Sequence, residues 1–394
     1  MRVLHLTTEF PPVIYGGLGT AVGGWTKACA RAGVGIAVQL VGGVLALDGN
    51  ASLYGAPGGR VPYRVAPAAR KSDEGIQFIQ CSEAEAVATG VRAVAEWRPD
   101  VVHLHTAMLW YLADAIKAAT GKPLVFHVHS VDKAEYDIGN EPNPFLALAQ
   151  VQEAAIIGSD RLIALTRSEE ILLRQYYPDA ASKIRVAGNG IEDTDAALQA
   201  AFSARPDVPT VLYSGRLVER KGIRELLAAI PEVLRAAPRA RFVLTGGPPP
   251  FAASAVAAQW LEPKHMPFRN QIHFTGWQSP AEMALRYASA DILVVPSRYE
   301  PFGMVILEGM LHGLAIVAAD VGGPAEILEH GRTGLLFPPR DVNALCSALQ
   351  CLLNDPKGRN ALGRAAAREV RSKWLWKYRV PAMLDVYREL LSDP

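Results

Sequence analysis

The chain has 394 residues, half of them hydrophobic, and 40 Lys and Arg against 39 Asp and Glu give a net charge of +1. That length suits two domains with sizeable cores, and the balanced charge without a long basic tract argues against nucleic acid as a partner. The four cysteines, Cys29, Cys81, Cys346 and Cys351, form no CxxC pair, which argues against a zinc or redox dithiol site and for a reducing, cytoplasmic setting.

Met1 to Thr8 reads directly as a first strand, not as a signal segment, and no apolar run reaches the ~18 residues of a membrane span. Further strand-like runs in the first half are Gly35–Gly43, Gly75–Gln80, Val101–His105, Leu124–His129, Arg161–Thr166 and Ile184–Ala187, with Ala-, Arg- and Leu-rich helical stretches between most of them. The loop after the first strand, Glu9 to Thr20, carries Gly16, Gly17 and Gly19. With Gly23 it fits a GxGxxxG spacing. A dinucleotide fingerprint, however, follows its strand directly and needs an acidic residue ~20 positions on. Here eight residues separate Thr8 from Gly17, and the second strand offers Gln39. The loop is better read as reaching across a cleft to a phosphate than as binding NAD. Tyr54 to Lys71, rich in Gly and Pro, reads as a solvated loop, with an acceptor-binding or membrane-facing role as the alternative.

Two pairs, His103-x-His105 and His127-x-His129, lie on neighbouring predicted strands, and period-two spacing puts each pair on one face. Such pairs suit a metal hydrolase, but only Asp132 supplies a carboxylate nearby, and central strands often bury a hydrogen-bonded histidine. The expectation is therefore no metal. His129 ends its strand beside Ser130, where a substrate can reach it.

Gly190 to Pro209 reads as a linker, after which the pattern restarts with Thr210–Ser214, Arg241–Thr245, Ile272–Thr275, Ile292–Pro296, Ala315–Ala319 and Gly334–Phe337. Near-continuous apolar strands separated by helices predict parallel sheets covered on both faces. Two such sets predict an α/β protein of two doubly wound domains, with ligand in the cleft outside the carboxyl ends of the strands. Gly215 to Gly222 (GRLVERKG) opens a helix, so its glycines and helix N-terminus favour an anion, which Arg216 and Lys221 would neutralise. Thr245-Gly246-Gly247-Pro248 is a second strand-to-glycine turn on the same edge.

The most informative tract is Pro296 to Met310, PSRYEPFGMVILEGM, where seven residues separate Glu300 from Glu308. Pro301 suits a first helical turn and Gly313 a stop. On one helix the two carboxylates would lie about 12 Å apart at ~1.5 Å per residue, wider than the ~5–9.5 Å of a glycoside-hydrolase pair. That spacing suits two hydroxyl-bearing groups with an anion between them, as in a nucleotide sugar; a capping glutamate plus a solvated one is the alternative. The chain ends in an amphipathic helix, Pro381 to Leu391, after the aromatic segment Trp374 to Tyr378.

Taken together, GRLVERKG, TGG, EPFGMVILEG, VGGPAEIL at Val321–Leu328 and Asn189-Gly190-Ile191-Glu192 at the domain junction resemble the retaining glycosyltransferases of family 4, the glycosyl transferases group 1 type. The resemblance implies the GT-B fold, two Rossmann-like domains facing each other across a cleft: residues 1–190 on the acceptor side, 191–375 on the nucleotide-sugar side, and 376–394 as a helix crossing back. It implies that Arg216 and Lys221 hold a donor diphosphate, that Glu300 and the amides of Phe302, Gly303 and Met304 hold the transferred sugar, and that Glu308 holds the ribose. It further implies that Gly16 and Gly17 close over the phosphates, that Gly247 borders the donor, and that Trp277 lies at the base. His129 matches the family's active-site histidine, with His127 as the fallback. Glu9 to Leu18 also resembles the N-terminal loop of bacterial glycogen and starch synthases, except that Tyr15 stands where their lysine precedes the Gly-Gly pair.

The implied activity is transfer of a hexose to the hydroxyl of a small-molecule, glycan or glycolipid acceptor, with retention, without cofactor or metal, by attack from the leaving-group face. A sugar phosphorylase on the same fold and a metal-dependent hydrolase are the competing expectations.

Overall fold

The computed structural model describes residues 1–11, 16–42, 75–138, 146–193, 208–247 and 253–392. The Tyr54–Lys71 loop, Tyr15, Pro248 and most of the expected linker lie outside the described residues. The first half builds a 7-stranded sheet in the order β3-β2-β1-β4-β5-β6-β7, and the second a 6-stranded sheet in the order β10-β9-β8-β11-β12-β13. The first comprises β1 (Arg2–Thr7), β2 (Gly35–Val41), β3 (Gln77–Cys81), β4 (Val101–Leu104), β5 (Leu124–Val128), β6 (Arg161–Ala164) and β7 (Ile184–Val186). The second comprises β8 (Thr210–Ser214), β9 (Arg241–Thr245), β10 (Ile272–Gly276), β11 (Ile292–Val295), β12 (Ala315–Ala319) and β13 (Leu335–Phe337).

Every pairing is parallel. The central strands β4, β5, β11 and β12 are buried along their whole length, so both faces must be covered and the helices supply the cover. Each sheet reverses its winding once, between β1 and β4 and between β8 and β11. At such a switch point the loops leaving the two adjacent carboxyl ends diverge and leave a crevice. The two crevices position the site described below.

Pro301 does not open a helix. The helix spans Met304–Leu311, and Gly303, at φ 95°, sits left-handed before it. The loop therefore runs from Pro296 through Gly303 and turns sharply where a side chain would be strained. Glu300 lies in that loop and not on the helix, so the 12 Å separation built on a continuous helix does not apply.

The last helix, Trp376–Ser392, packs into the core of the first half: Trp376, Val380, Met383, Tyr387 and Leu390 share one apolar cluster with Val3, Trp25, Val101 and Val125. The Tyr387 hydroxyl lies 2.6 Å from His103 Nδ1, Trp25 meets Trp376 at 4.9 Å between ring centroids, and Glu389 pairs with Arg161 and Arg185. Gly24 makes the close approach of Trp376 feasible, because a Cβ there would fall 2.2 Å from the indole ring. Gly24→Ala is expected to overpack this contact and cost about 1–3 kcal/mol, read as a lower thermal midpoint. An unchanged midpoint would contradict the docking of this helix.

Candidate active site

Lys221 leaves the carboxyl end of β8 and Glu300 that of β11, the two strands flanking the switch point of the second sheet. Their loops are joined directly, for Arg298 N–H donates to the Arg220 carbonyl at 2.8 Å. Gly222 allows this, being left-handed at φ 70° with its absent Cβ only 1.8 Å from the Pro296 oxygen. Lys221 Nζ then reaches Glu300 Oε2 at 2.6 Å, with the side chains 18% and 8% exposed. Ser297 Oγ donates to the same oxygen at 3.0 Å. Among the described residues Glu300 Oε1 has no partner, and Lys221 Nζ bonds only to Glu300, which uses one of its three donors.

Burial alone would raise the Glu300 carboxyl. The Lys221 ammonium, with Arg220 and the Ser297 hydroxyl behind it, outweighs burial and holds it below the usual glutamate range. Lys221 is itself lowered by burial against the pull of Glu300. With a hydroxyl, an ammonium and a guanidinium charge all favouring the carboxylate, the pair is ionic.

Around it lie the other expected residues. Glu308 sits within the following helix and accepts from the Tyr287 hydroxyl at 2.5 Å; burial raises its carboxyl, with that hydroxyl opposing. Phe302 is buried beside Leu165 and Leu307, and Gly303 and Met304 form the helix start. Arg216 is exposed at the end of β8, its carbonyl accepting from Tyr213 at 2.7 Å. Gly247 and Trp277 follow β9 and β10 on the same edge of the sheet.

From the first half, Gly17 faces the site: a Cβ on it would meet Met304 at 3.9 Å. Gly16 N–H donates to the Glu9 carboxylate at 3.3 Å. His129 follows β5, half-buried, its Nε2 3.3 Å from His105 Nδ1, and burial lowers it to about 3, so its ring is neutral.

Sequence reasoning missed what closes the cleft. Tyr299, adjacent to Glu300, inserts its ring into the first half's core. Its hydroxyl accepts from Val131 N–H at 2.9 Å and donates to Glu169 Oε2 at 2.8 Å. Thr166 Oγ1 donates to the Pro301 carbonyl at 3.2 Å. Glu326 accepts from the N–H groups of Arg167 and Ser168 at 3.1 and 2.8 Å, a carboxylate of one half at a helix N-terminus of the other. Arg220 and Glu135 add an ion pair at 3.2 Å. Tyr299 lay within the singled-out tract, but Glu169 is 130 residues away, and no local pattern links them.

Residues 208–355 match the family described as glycosyl transferases group 1, and residues 15–195 that described as glycosyltransferase family 4. The D-inositol 3-phosphate glycosyltransferase of Kineococcus radiotolerans is 32% identical over 335 residues, 76% of this chain and 73% of that one. A glycogen synthase of Mycobacterium tuberculosis is 28% identical over 416 residues, 98% and 94% of the two chains. The sucrose-phosphate synthase of Thermosynechococcus elongatus has the same fold, with a TM-score of 0.79 at 22% identity over 100% of both chains. The chain belongs to the group 1, family 4 glycosyltransferases, and its two facing Rossmann-like domains are the GT-B fold. Family membership sets aside the metal-hydrolase reading of the histidine pairs. No helix among the described residues is long and apolar enough to cross a membrane.

Glu169 is a pH reporter for the closed cleft. Burial raises it from 4.5 to about 7 against the Tyr299 bond, and Asp132 rises likewise to about 7. The folded protein therefore holds these protons where the unfolded chain has released them. Their contribution is full below the unfolded values and is lost as pH rises through about 7. Glu169→Gln keeps an acceptor for Tyr299 and removes one titration. The fall in thermal midpoint between pH 5 and 8 should become shallower in this variant, and an unchanged slope would contradict the assignment.

Proposed function

We propose that this chain transfers a hexose from a nucleoside diphosphate sugar to an acceptor hydroxyl with retention of configuration. The observation that carries the reading is the buried Lys221–Glu300 pair at the switch point, with one carboxylate oxygen and two ammonium donors left without partners among the described residues. In this reading Lys221 and Arg216 neutralise the diphosphate, Lys as a point charge and Arg through its planar fork. Glu300 Oε1 accepts from a sugar hydroxyl, and the amides at Phe302, Gly303 and Met304 supply a helix N-terminus for an anion. Glu308, held by Tyr287, grips the ribose, with Trp277 at the base and Gly247 on the same rim. Gly16 and Gly17 cover the phosphates from the other half, and neutral His129 borders the sugar.

Charge develops on the departing diphosphate as the sugar becomes oxocarbenium-like, so preorganised cations aimed at the leaving oxygens supply the largest electrostatic gain. Two basic side chains take the part a divalent cation plays elsewhere, and neither a resident cofactor nor a metal is needed for transfer. The acceptor attacks from the leaving-group face, and its proton passes to the phosphate. The contacts at Tyr299 and Glu326 join the two halves, and a closed cleft that limits water favours transfer over hydrolysis. The names of the relatives, a glycogen synthase and an inositol phosphate glycosyltransferase, support a glycan or small polyol acceptor.

Glu300→Ala and Lys221→Ala are each expected to cut turnover at least ~100-fold, equivalent to ~2.7 kcal/mol of barrier; near wild-type rates in both would refute the assignment. The donor is found by a thermal-shift screen of UDP, GDP and ADP, since ligand bound to the native state raises the midpoint. NMR of the product should show the donor's anomeric configuration preserved, whereas inversion would contradict the front-face route.

A further inference from the structure

Five histidines of the first half form one contiguous stack: His5 on β1, His103 and His105 at β4, and His127 and His129 at β5. The proposed transfer uses His129 alone. The rings of His127 and His129 lie 4.3 Å apart and 16° from parallel. One ligand nitrogen from each of His105, His127 and His129 lies within 4.8 Å of the other two. Three further observations distinguish this group from a set of packed core rings.

The first is a distance. His105 Nδ1 and His129 Nε2 are 3.3 Å apart, longer than the usual ~2.7–3.2 Å hydrogen bond. Two nitrogens bound at ~2.0–2.1 Å to one tetrahedral ion are separated by about 3.3–3.4 Å. The second is His127, fully buried with neither ring nitrogen hydrogen-bonded; one of them carries a proton in the neutral ring, and a buried unsatisfied donor calls for a physical explanation. The third is His105 Nε2, which lies 2.8 Å from His5 Nδ1. A metal-ligating histidine is commonly fixed by such a bond to its second nitrogen.

We propose that His105, His127 and His129 form a three-nitrogen site for a divalent transition-metal ion of the zinc type. Uncharged imidazoles are the ligand form, and they select zinc, cobalt, nickel or copper over magnesium and calcium. Half-buried His129 gives the ion a path from the cleft and leaves the fourth position to water. The neighbouring set of His5, His103 and His105 is wholly buried, and its His103 Nδ1 is engaged by Tyr387. The inference goes beyond the transferase reading. An ion here would take the ring that borders the sugar, so occupancy would inhibit transfer.

The test is a titration of chelator-stripped protein with Co(II). One equivalent should bind with the visible d–d absorption of a four-coordinate site, and one equivalent of Zn(II) should displace it. His127→Gln should abolish that absorption and weaken Zn(II) binding at least ~10-fold, with the near-ultraviolet circular dichroism of the fold retained. If this buried substitution fails to fold, His129→Gln at the cleft edge supplies the same comparison. The expected cost of His5→Phe is ~10–100-fold in affinity, through loss of the bond to His105. No stoichiometric Co(II), or equal affinity in wild type and both Gln variants, would overturn the proposal. Because the readout is binding, its failure would leave the transferase assignment standing.

Discussion

The ion pair between Lys221 and Glu300 is the constraint on which the rest of the structure depends. Each charge enters from the loop after a different parallel strand, and only the reversal of winding between β8 and β11 brings those loops together. Gly222 is needed so that one loop can lie against Pro296 of the other. Burying such a pair gives the fold little, since desolvation offsets most of the attraction, while breaking it leaves an uncompensated charge. In the proposed reading its value is preorganisation: two charges already stripped of water and fixed in direction for a ligand that carries both a diphosphate and hydroxyls.

Closure of the cleft is tied to the same loop. Tyr299 and Glu300 are neighbours in sequence, and the first plugs the opposite half while the second holds Lys221. The position of the carboxylate and the approach of the two halves are thus one mechanical constraint. The terminal helix holds the halves together from behind: Ile191 pairs with Leu375 just before the chain runs onto the first half at Trp376. A displaced Tyr299 would therefore loosen both the seal and the aim of Glu300.

Much of this was legible in the sequence, for physical reasons. Parallel strands covered on both faces are largely apolar, so each predicted run coincides with a strand of one of the two sheets, and their repetition gave the two-sheet architecture. Lys221 stood out in a glycine-flanked turn that opens a helix after a strand, and Glu300 and Glu308 by their spacing in the tract after another strand. The helix after β11 was misplaced because a left-handed glycine, not the proline, sets its start. Tyr299–Glu169, Tyr287–Glu308 and Ser297–Glu300 were invisible or unweighed, as their partners meet only through tertiary packing or loop turns. Period-two spacing placed the histidine pairs on common faces, but it did not show that His5 joins them or that His127 is left without a partner.

The central claim is that Lys221 and Glu300 act as a unit, and a double-mutant cycle on turnover tests it most directly. Lys221→Met, Glu300→Gln and the double variant are compared under one saturating donor concentration. If the pair is one preorganised element, the double variant should be about as slow as the slower single variant, a strongly non-additive result. Losses that simply multiply would mean that the two residues act independently, and would contradict the account.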